Sequence, residues 1–566
     1  PEVFARCAAM LGAKKSLTWD ELKALRPALR LALLETAAEY ASEMLFRRRL
    51  AVRAAKDAMR GKAAPALCAY ASYVRAYSAG GDIPEGRDAY SAAAEDDAML
   101  AEYAAGMELL AAALRRDVVT DELLVSLSSP AEIYLSGGCA FEDLSLRTRT
   151  DMLMLTGRYA KKRKVSEERA AREVVERSRA EGKDISAYLI PDAPRYMLAV
   201  RLCLSIVLTA STVAAAVVFV PLTGAIAAIS AAPAIMYAYS ALLLRILACA
   251  FPPVPVPEMR ETGNKSTAIV ICVALRSRGD LESAFGKLTT LEHTAREKIF
   301  SYGILADIVS GEYTAEEAEK DARRLIRGKR TFFLLRKSAV GRKRGALSAF
   351  NKSVLTGDMS AYAVTAGRPK KFEYVITLDS DTSLTDAERL VRIMEHPYNR
   401  RYAVMSLDMR PSLGGMTTPL SALVGGDGGL VRYGGACGAL RRLHGYTCYC
   451  GKGIYRVREF YERAGKTLPE DKLLSHDLIE GALAGCGGSG VCALEEAPRT
   501  SGAYWSRLER WMRGDIQSLP YFRRNAPDDG GGKRGISVPA AFMRRCRSFR
   551  SSSRSFRARS RCSFFR

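Results

Sequence analysis

Asp379 and Asp381 stand two residues apart at the end of the run Phe372-Glu373-Tyr374-Val375-Ile376-Thr377-Leu378. The run is apolar and β-branched and reads as a buried strand. Residues two apart on a strand point to the same side. Both carboxylates therefore leave the strand's carboxyl end together, where open α/β sheets bind their ligands. Paired hard oxygen donors at that position suit Mg²⁺ or Mn²⁺ holding a phosphate or diphosphate. Taken alone, an acidic strand-to-turn junction gives the same pattern.

Further groups of residues could act with that pair. Asp307 ends an earlier strand candidate, where a carboxylate can accept hydrogen bonds from a nucleotide base or ribose; it also reads as an ordinary acidic loop residue. Arg342-Lys343-Arg344-Gly345 sets three cations before a flexible glycine, a combination able to approach a diphosphate closely or simply a solvated charge run. In Gly451-Lys452-Gly453 the glycines permit close backbone approach to a ligand. The Gly-rich stretch before it, 425–438, lacks the spacing of a Walker A loop, and a plain turn fits as well. In Ser475-His476-Asp477-Leu478-Ile479-Glu480, Asp477 could take a proton from a hydroxyl nucleophile. It could equally cap a helix, with Glu480 at the third position. Arg507-Leu508-Glu509-Arg510-Trp511 joins cations able to clamp a diphosphate to a flat face for a sugar ring; an amphipathic helix with Trp511 in the core is the alternative.

These residues need an α/β domain to position them. Strand candidates lie at 268–275, 299–306, 331–335, 374–378 and 401–407, with helical stretches such as 316–325 and 387–395 between them. Thr385 and Glu388 have capping-box spacing before the second of those. The alternation predicts a mostly parallel sheet flanked by helices over 266–529. Upstream, residues 1–195 are rich in Ala, Leu, Glu and Arg, and 31–48, 92–116 and 151–180 read as helices of a cytosolic region without a catalytic motif. Between the two lies 196–250, in which 202–244 carries no charge. That length fits two bilayer spans, 202–220 and 225–244, turned near Pro221. Basic residues flank both outer ends (Arg195 and Arg201, then Arg245 and Arg260), which places both flanks in the cytoplasm. A buried hairpin in a soluble core is the alternative. The Pro-rich stretch within 251–265 reads as a stiff linker.

The chain of 566 residues carries a formal charge of +23. Eleven of the cations and no acid follow Asp529, which leaves +12 for the rest. An excess of that size suits anionic headgroups or nucleotide substrates. No zinc-finger, helix-turn-helix or RNP pattern supports nucleic-acid binding. The thirteen cysteines form no CxxC pair and read as reduced thiols. The tail 530–566, dominated by Arg, Ser, Phe and Cys, is assigned no fold and reads as a disordered arm or an out-of-frame product. The chain begins at Pro1, and we read it as a fragment.

The motifs together resemble a known family. VITLDSDT, then AERLVRIMEHPYNR, GKGIY, LLSHDLIEGALA and RWMRGDIQSLPY, resemble the glycosyltransferase domain of cyclic β-1,2-glucan synthases, within the processive GT-A glycosyltransferases of the cellulose-synthase type. PAEIYLSGGCAFEDLSLRTRTDML and the hairpin ending in LLRILACAFPPVPVP resemble the region before that domain, and the likeness runs from about 120 to 523. The resemblance implies a GT-A fold and inverting, single-displacement transfer of glucose from UDP-glucose onto a growing β-1,2-glucan. It implies a bacterial-type cytoplasmic membrane protein with its catalytic domain in the cytoplasm. By the same analogy Asp379 contacts the nucleotide, Asp381 the metal and Asp307 the uridine. Asp477 activates the acceptor, and Arg510 and Trp511 secure diphosphate and acceptor. The superfamily's QxxRW motif has Gln where this chain has Arg507. The resembled enzymes carry the growing glucan on the protein, which makes Tyr449 the candidate attachment residue. They are also far longer and continue into membrane helices and a phosphorylase-like region. Two other readings compete. Asp379-Ser380-Asp381-Thr382 fits the start of haloacid-dehalogenase-type phosphatases, with Asp379 as nucleophile, although that class carries the motif on its first strand. The chain could also be an inactive, truncated membrane scaffold.

Overall fold

The computed structural model describes residues 17–59, 102–103, 105–113, 119–192, 197–219, 222–295, 297–309, 313–326, 330–367, 369–423, 436–466, 468, 476–517, 525–527 and 533–535. Most of the Gly-rich stretch 425–438, Ser475 and nearly all of the tail lie outside them. The chain divides into two compact units: 1–141 with 149–181, and 142–148 with 182–566.

The first unit is helical. It holds the long helix α1 (Trp19–Met59), most of α2 (Leu146–Arg163) and α3 (Glu167–Glu181). The sequence reading ran α2 and α3 together as one helix. They are separated at Lys164, which adopts a left-handed φ of 57°. Ala170, Ala171, Val174 and Val175 recur at helical spacing and give α3 its buried stripe.

The second unit opens with two apolar helices, α4 (Met197–Phe219) and α5 (Leu222–Ala250), which pack against each other. The Thr212 and Tyr239 hydroxyls hydrogen-bond between them at 2.8 Å. Within α4, Val200–Phe219 is long and apolar enough to cross a membrane, and most of it is exposed. In α5 only two shorter apolar stretches qualify, Leu222–Ala232 and Ala238–Leu247. The Pro-rich linker then runs along the domain. Its Val254 and Pro255 carbonyls accept from Arg441, and Pro257 O accepts from Asn399 at 2.8 Å.

The sheet that follows has nine strands in the order β4-β3-β2-β1-β5-β8-β7-β9-β6. Its parallel block is β3 (Thr331–Arg336), β2 (Phe300–Ile308), β1 (Thr267–Leu275) and β5 (Tyr374–Asp379). β8 (Gly453–Arg456) pairs antiparallel with both β5 and β7 (Val404–Pro411), and β7 pairs parallel with β9 (Cys486–Glu495). Two short strands, β4 (Tyr362–Ala366) and β6 (Ser383–Leu384), close the edges in antiparallel register. The fold is thus α/β, with a mixed sheet that is parallel through its central strands.

A strand covered on both faces has no polar side, so its sequence is continuously apolar. In β1, residues 268–271 are all fully buried, and successive residues feed opposite cores. Ile269 and Ile271 join the larger core, lined by α6 (Arg278–Thr294) through Leu281, Phe285 and Leu288. Ala268 and Val270 join the second core, lined by α8 (Arg342–Thr356) through Ala346, Leu347 and Phe350. On the larger-core face also lie α7 (Ala315–Leu325) and α9 (Ala387–Glu395). Asp386, not Thr385, caps α9 by accepting from Arg389 N at 2.8 Å, while Thr385 donates to Cys492 O at 2.6 Å. Two further helices border the loops at the strands' carboxyl ends, α10 (Asp477–Ala484) and α11 (Ser501–Gln517).

Candidate active site

The carboxyl end of β5 opens into a cleft of about 750 Å³ lined by Asp379, Ser380, Asp381, Met409, Cys450, Lys452, Asp477, Glu495, Glu496, Pro498, Ala503, Ser506, Arg507, Arg510 and Trp511. The acid pair, the Gly-Lys-Gly turn, the Asp477 helix and the Arg-Trp helix come from four separate stretches of chain and meet here.

Asp379 is the last residue of β5 and lies beside Cys272 of β1. Lys343 Nζ sits 2.5 Å from its Oδ1, and Lys452 Nζ sits 3.0 Å from its Oδ2. Burial alone would raise the Asp379 carboxyl; the two ammonium groups more than offset that and hold it well below the usual carboxylate range. Asp381 has the opposite balance. Burial raises it, Glu495 raises it further, and Lys452 only partly compensates. The two acids are therefore not equivalent. Asp379 is already saturated by cations, whereas Asp381 faces unbalanced negative charge. The lining holds five carboxylates against three cations. Asp381 is the member of the acid pair that could hold a divalent cation.

The loop that delivers Lys343 is built by Arg336. Its guanidinium donates to both Asp307 oxygens, at 2.7 and 2.5 Å, and to the carbonyls of Val340 (2.9 Å) and Arg342 (3.1 Å). Gly341 (φ 74°) and Arg342 (φ 50°) then turn the chain into α8. Asp307 is consequently buried on Arg336 and is not among the residues lining the cleft. Gly345 serves this loop too: a Cβ there would lie 2.3 Å from Val340 O and 2.6 Å from Arg336 Nη1. Arg344 faces inward. It is 2% exposed, sits 3.3 Å from Glu480 Oε1 and donates to Leu468 O. Only Lys343 of this triplet reaches Asp379.

Gly451 is required twice over. Its φ of 76° is costly for other residues, and the Asp477 carboxylate packs on its Cα, so that an added Cβ would meet Asp477 Oδ1 at 2.6 Å. Lys343 also donates to Gly451 O at 2.8 Å. The glycine thus brings Asp477, Lys343 and Lys452 into one cluster. Asp477 opens α10, but it does not cap it. The N-cap is His476, with no side-chain capping bond. Glu480 turns instead to His476, whose Nδ1 lies 3.0 Å from Glu480 Oε2 and 3.4 Å from Asp477 Oδ1. Burial would lower the His476 imidazole; Glu480 and Asp477 outweigh it and keep the ring above its ordinary pKa. Asp477 is left as the acid of this group that lines the cleft.

Along the opposite wall, Glu495 ends β9. Its Oε2 accepts from Lys452 Nζ at 2.8 Å and its Oε1 from Arg507 Nη2 at 2.6 Å. Arg507 in turn stacks 5.0 Å over the Trp511 ring. Sequence reasoning missed Glu495, yet its signal matches that of the Asp pair: an apolar run, Val491-Cys492-Ala493-Leu494, closing in Glu495-Glu496. Tyr449 is not at the cleft. It is 1% exposed, it meets Phe460 edge-on at 6.2 Å, and burial pushes its hydroxyl pKa well up. Among the described residues, eight cysteines are free thiols.

No model of a known protein family matches the chain. The α/β sheet with this acid-lined cleft and the sequence comparison together support a glycosyltransferase domain, present as a fragment. Over 242 residues the chain is 32% identical to the cyclic β-(1,2)-glucan synthase NdvB of Rhizobium meliloti (strain 1021), a match covering 37% of this chain and 8% of that protein. The chain therefore matches only a small part of its relative's length. Among solved structures, a mannosyltransferase, PcManGT of Pyrobaculum calidifontis in complex with GDP-Man and Mn²⁺, is similar with a TM-score of 0.34 and 13% identity, over 58% of this chain and 87% of that one.

Proposed function

We propose that the chain is the glycosyltransferase segment of a membrane-bound glucan synthase. In this reading it moves glucose from UDP-glucose onto a growing β-1,2-glucan with inversion at the sugar carbon. The observation that carries the proposal is the convergence of Asp379, Asp381, Asp477, Arg510 and Trp511 on one cleft. Asp477 is the base that takes the acceptor hydroxyl proton as that oxygen attacks the anomeric carbon. Arg510 balances charge on the departing UDP, and Trp511 offers a ring face to the acceptor sugar. Lys343 and Lys452 fix Asp379 at the end of β5. Mg²⁺ or Mn²⁺ held by Asp381 would supply Lewis-acid neutralisation of the diphosphate. The exposed apolar surface of α4 and its partner α5 supports a membrane hairpin with both ends in the cytoplasm, as in a multi-pass protein of the cytoplasmic membrane.

A phosphatase centred on Asp379 is poorly supported. The motif lies on the fifth strand of the sheet in chain order, and both Asp379 oxygens are held by lysines. Incubating the protein in membranes with labelled UDP-glucose and Mg²⁺ or Mn²⁺, followed by linkage analysis, tests the proposal. The expected product is 2-linked glucan with release of UDP. Release of phosphate from a labelled phosphomonoester, without glucan from UDP-glucose, would favour the phosphatase, and no turnover or UDP binding would favour an inactive scaffold.

A further inference from the structure

Lys343, Asp379, Lys452, Glu495 and Arg507 form a continuous chain of alternating charge across the cleft, with successive contacts of 2.5, 3.0, 2.8 and 2.6 Å. Glu495 is the link that crosses from the sheet to α11. It is 4% exposed, and each of its oxygens is taken by a different cation. One cation, Lys452, is the partner of Asp379. The other, Arg507, belongs to the helix that carries Arg510 and Trp511. The backbone fixes the carboxylate as well, since Glu495 pairs with Pro411 at the end of β7 and its carbonyl accepts from Ser412 N at 2.9 Å. Trp505, Ser506 and Arg510 of this helix are exposed. Glu495 to Arg507 is a buried ionic anchor between this helix and the sheet.

We propose that Glu495 is a positioning residue: one carboxylate sets α11, with Arg510 and Trp511, in register with the Asp379 end of the sheet. The inference rests on the glycosyltransferase reading and adds a residue to it. A shift of about 1 Å in reacting groups costs on the order of 100-fold in rate, so an anchor that never touches substrate can still control turnover.

The test uses the full chain and three variants: Glu495→Gln, Glu495→Asp and Arg507→Gln. UDP affinity with Mn²⁺ and glucosyl transfer rate are measured on each, together with the unfolding temperature. Glu495→Gln keeps shape and one acceptor but loses the charge. Its kcat should fall about 30- to 100-fold while UDP affinity stays within about threefold. Glu495→Asp should recover part of that loss. Arg507→Gln breaks the α11 arm, together with the Arg507 stack on Trp511, while leaving Lys452 on Glu495; it should reproduce the kcat loss even where Glu495→Gln folds poorly. Wild-type kcat in Glu495→Gln, or a fall in UDP affinity as large as the fall in kcat, would overturn the positioning role. A wild-type protein that binds no UDP would instead overturn the reading beneath it.

Discussion

Replacing Lys452 with Met removes the one cation that Asp379 and Glu495 share. Lys452 is 5% exposed, so its charge is compensated by these two acids rather than by water. Breaking a buried ion pair by removing one partner costs roughly 3–5 kcal/mol. Two features reduce that figure here. Asp379 keeps Lys343 and leaves 34% of its side chain exposed, and Glu495 keeps Arg507. We therefore expect a loss of about 2–3 kcal/mol, which for a domain of this size lowers Tm by roughly 4–12 °C. The pH dependence has a definite sign. Asp379 has a depressed pKa in the folded protein, so its contribution is present above the unfolded value of about 3.9 and is lost as pH falls below it. The gap between wild type and Lys452→Met should be widest near neutral pH and shrink on acidification. Thermal unfolding at several pH values, followed by near-UV circular dichroism, reads this directly. Equal Tm values at neutral pH, or a gap that widens toward acid, would refute the charge chain as drawn.

Asp381→Asn should act with the opposite sign. Because burial and Glu495 raise the Asp381 carboxyl, its ionisation costs stability above the unfolded pKa, so the variant should melt higher than wild type at neutral pH and equal to it below about pH 4. Gly451→Ala forces a Cβ against Asp477 and a non-glycine residue into the left-handed region. A loss of about 1–3 kcal/mol in denaturant unfolding, with a larger fall in transfer rate, is expected. Arg344→Met leaves Glu480 with His476 alone. It should cost about 3–5 kcal/mol in the same assay yet leave UDP affinity of the folded fraction unchanged, since Arg344 points away from the cleft.

Much of the sheet could be read from composition. The runs that became β1, β2, β3, β5 and β7 are rich in apolar residues on both alternating sets because both faces of the sheet are covered. β8 escaped notice because it spans four residues and starts at a glycine that reads as a turn. That glycine lies so near Met405 O that no side chain would fit. β9 was hidden by Gly487, Gly488 and Gly490. At Gly487 the reason is packing, since a Cβ would strike Met405 Sδ at 2.5 Å and the Tyr402 ring at 2.9 Å. Local patterns misplaced the caps at Thr385 and Asp477, whose side chains turn to Cys492 O and to the His476 ring instead. Within the cleft, residue types were legible but pairings were not. Nothing local says that Arg336 engages Asp307, that Arg344 turns inward, or that Lys452 joins Asp379 to Glu495. Those depend on contacts between residues 29 to 136 positions apart or on the burial of a whole helix face.

In the proposed mechanism Asp381 and its neighbours make a cation-dependent sugar-nucleotide site. Calorimetric titration of UDP into the full chain, with and without Mn²⁺, for wild type and Asp381→Ala, tests it most directly. The expected result is tight binding by wild type only when Mn²⁺ is present, with no effect of Mn²⁺ on Asp381→Ala. Equal Mn²⁺-dependent affinity in the two proteins would contradict it.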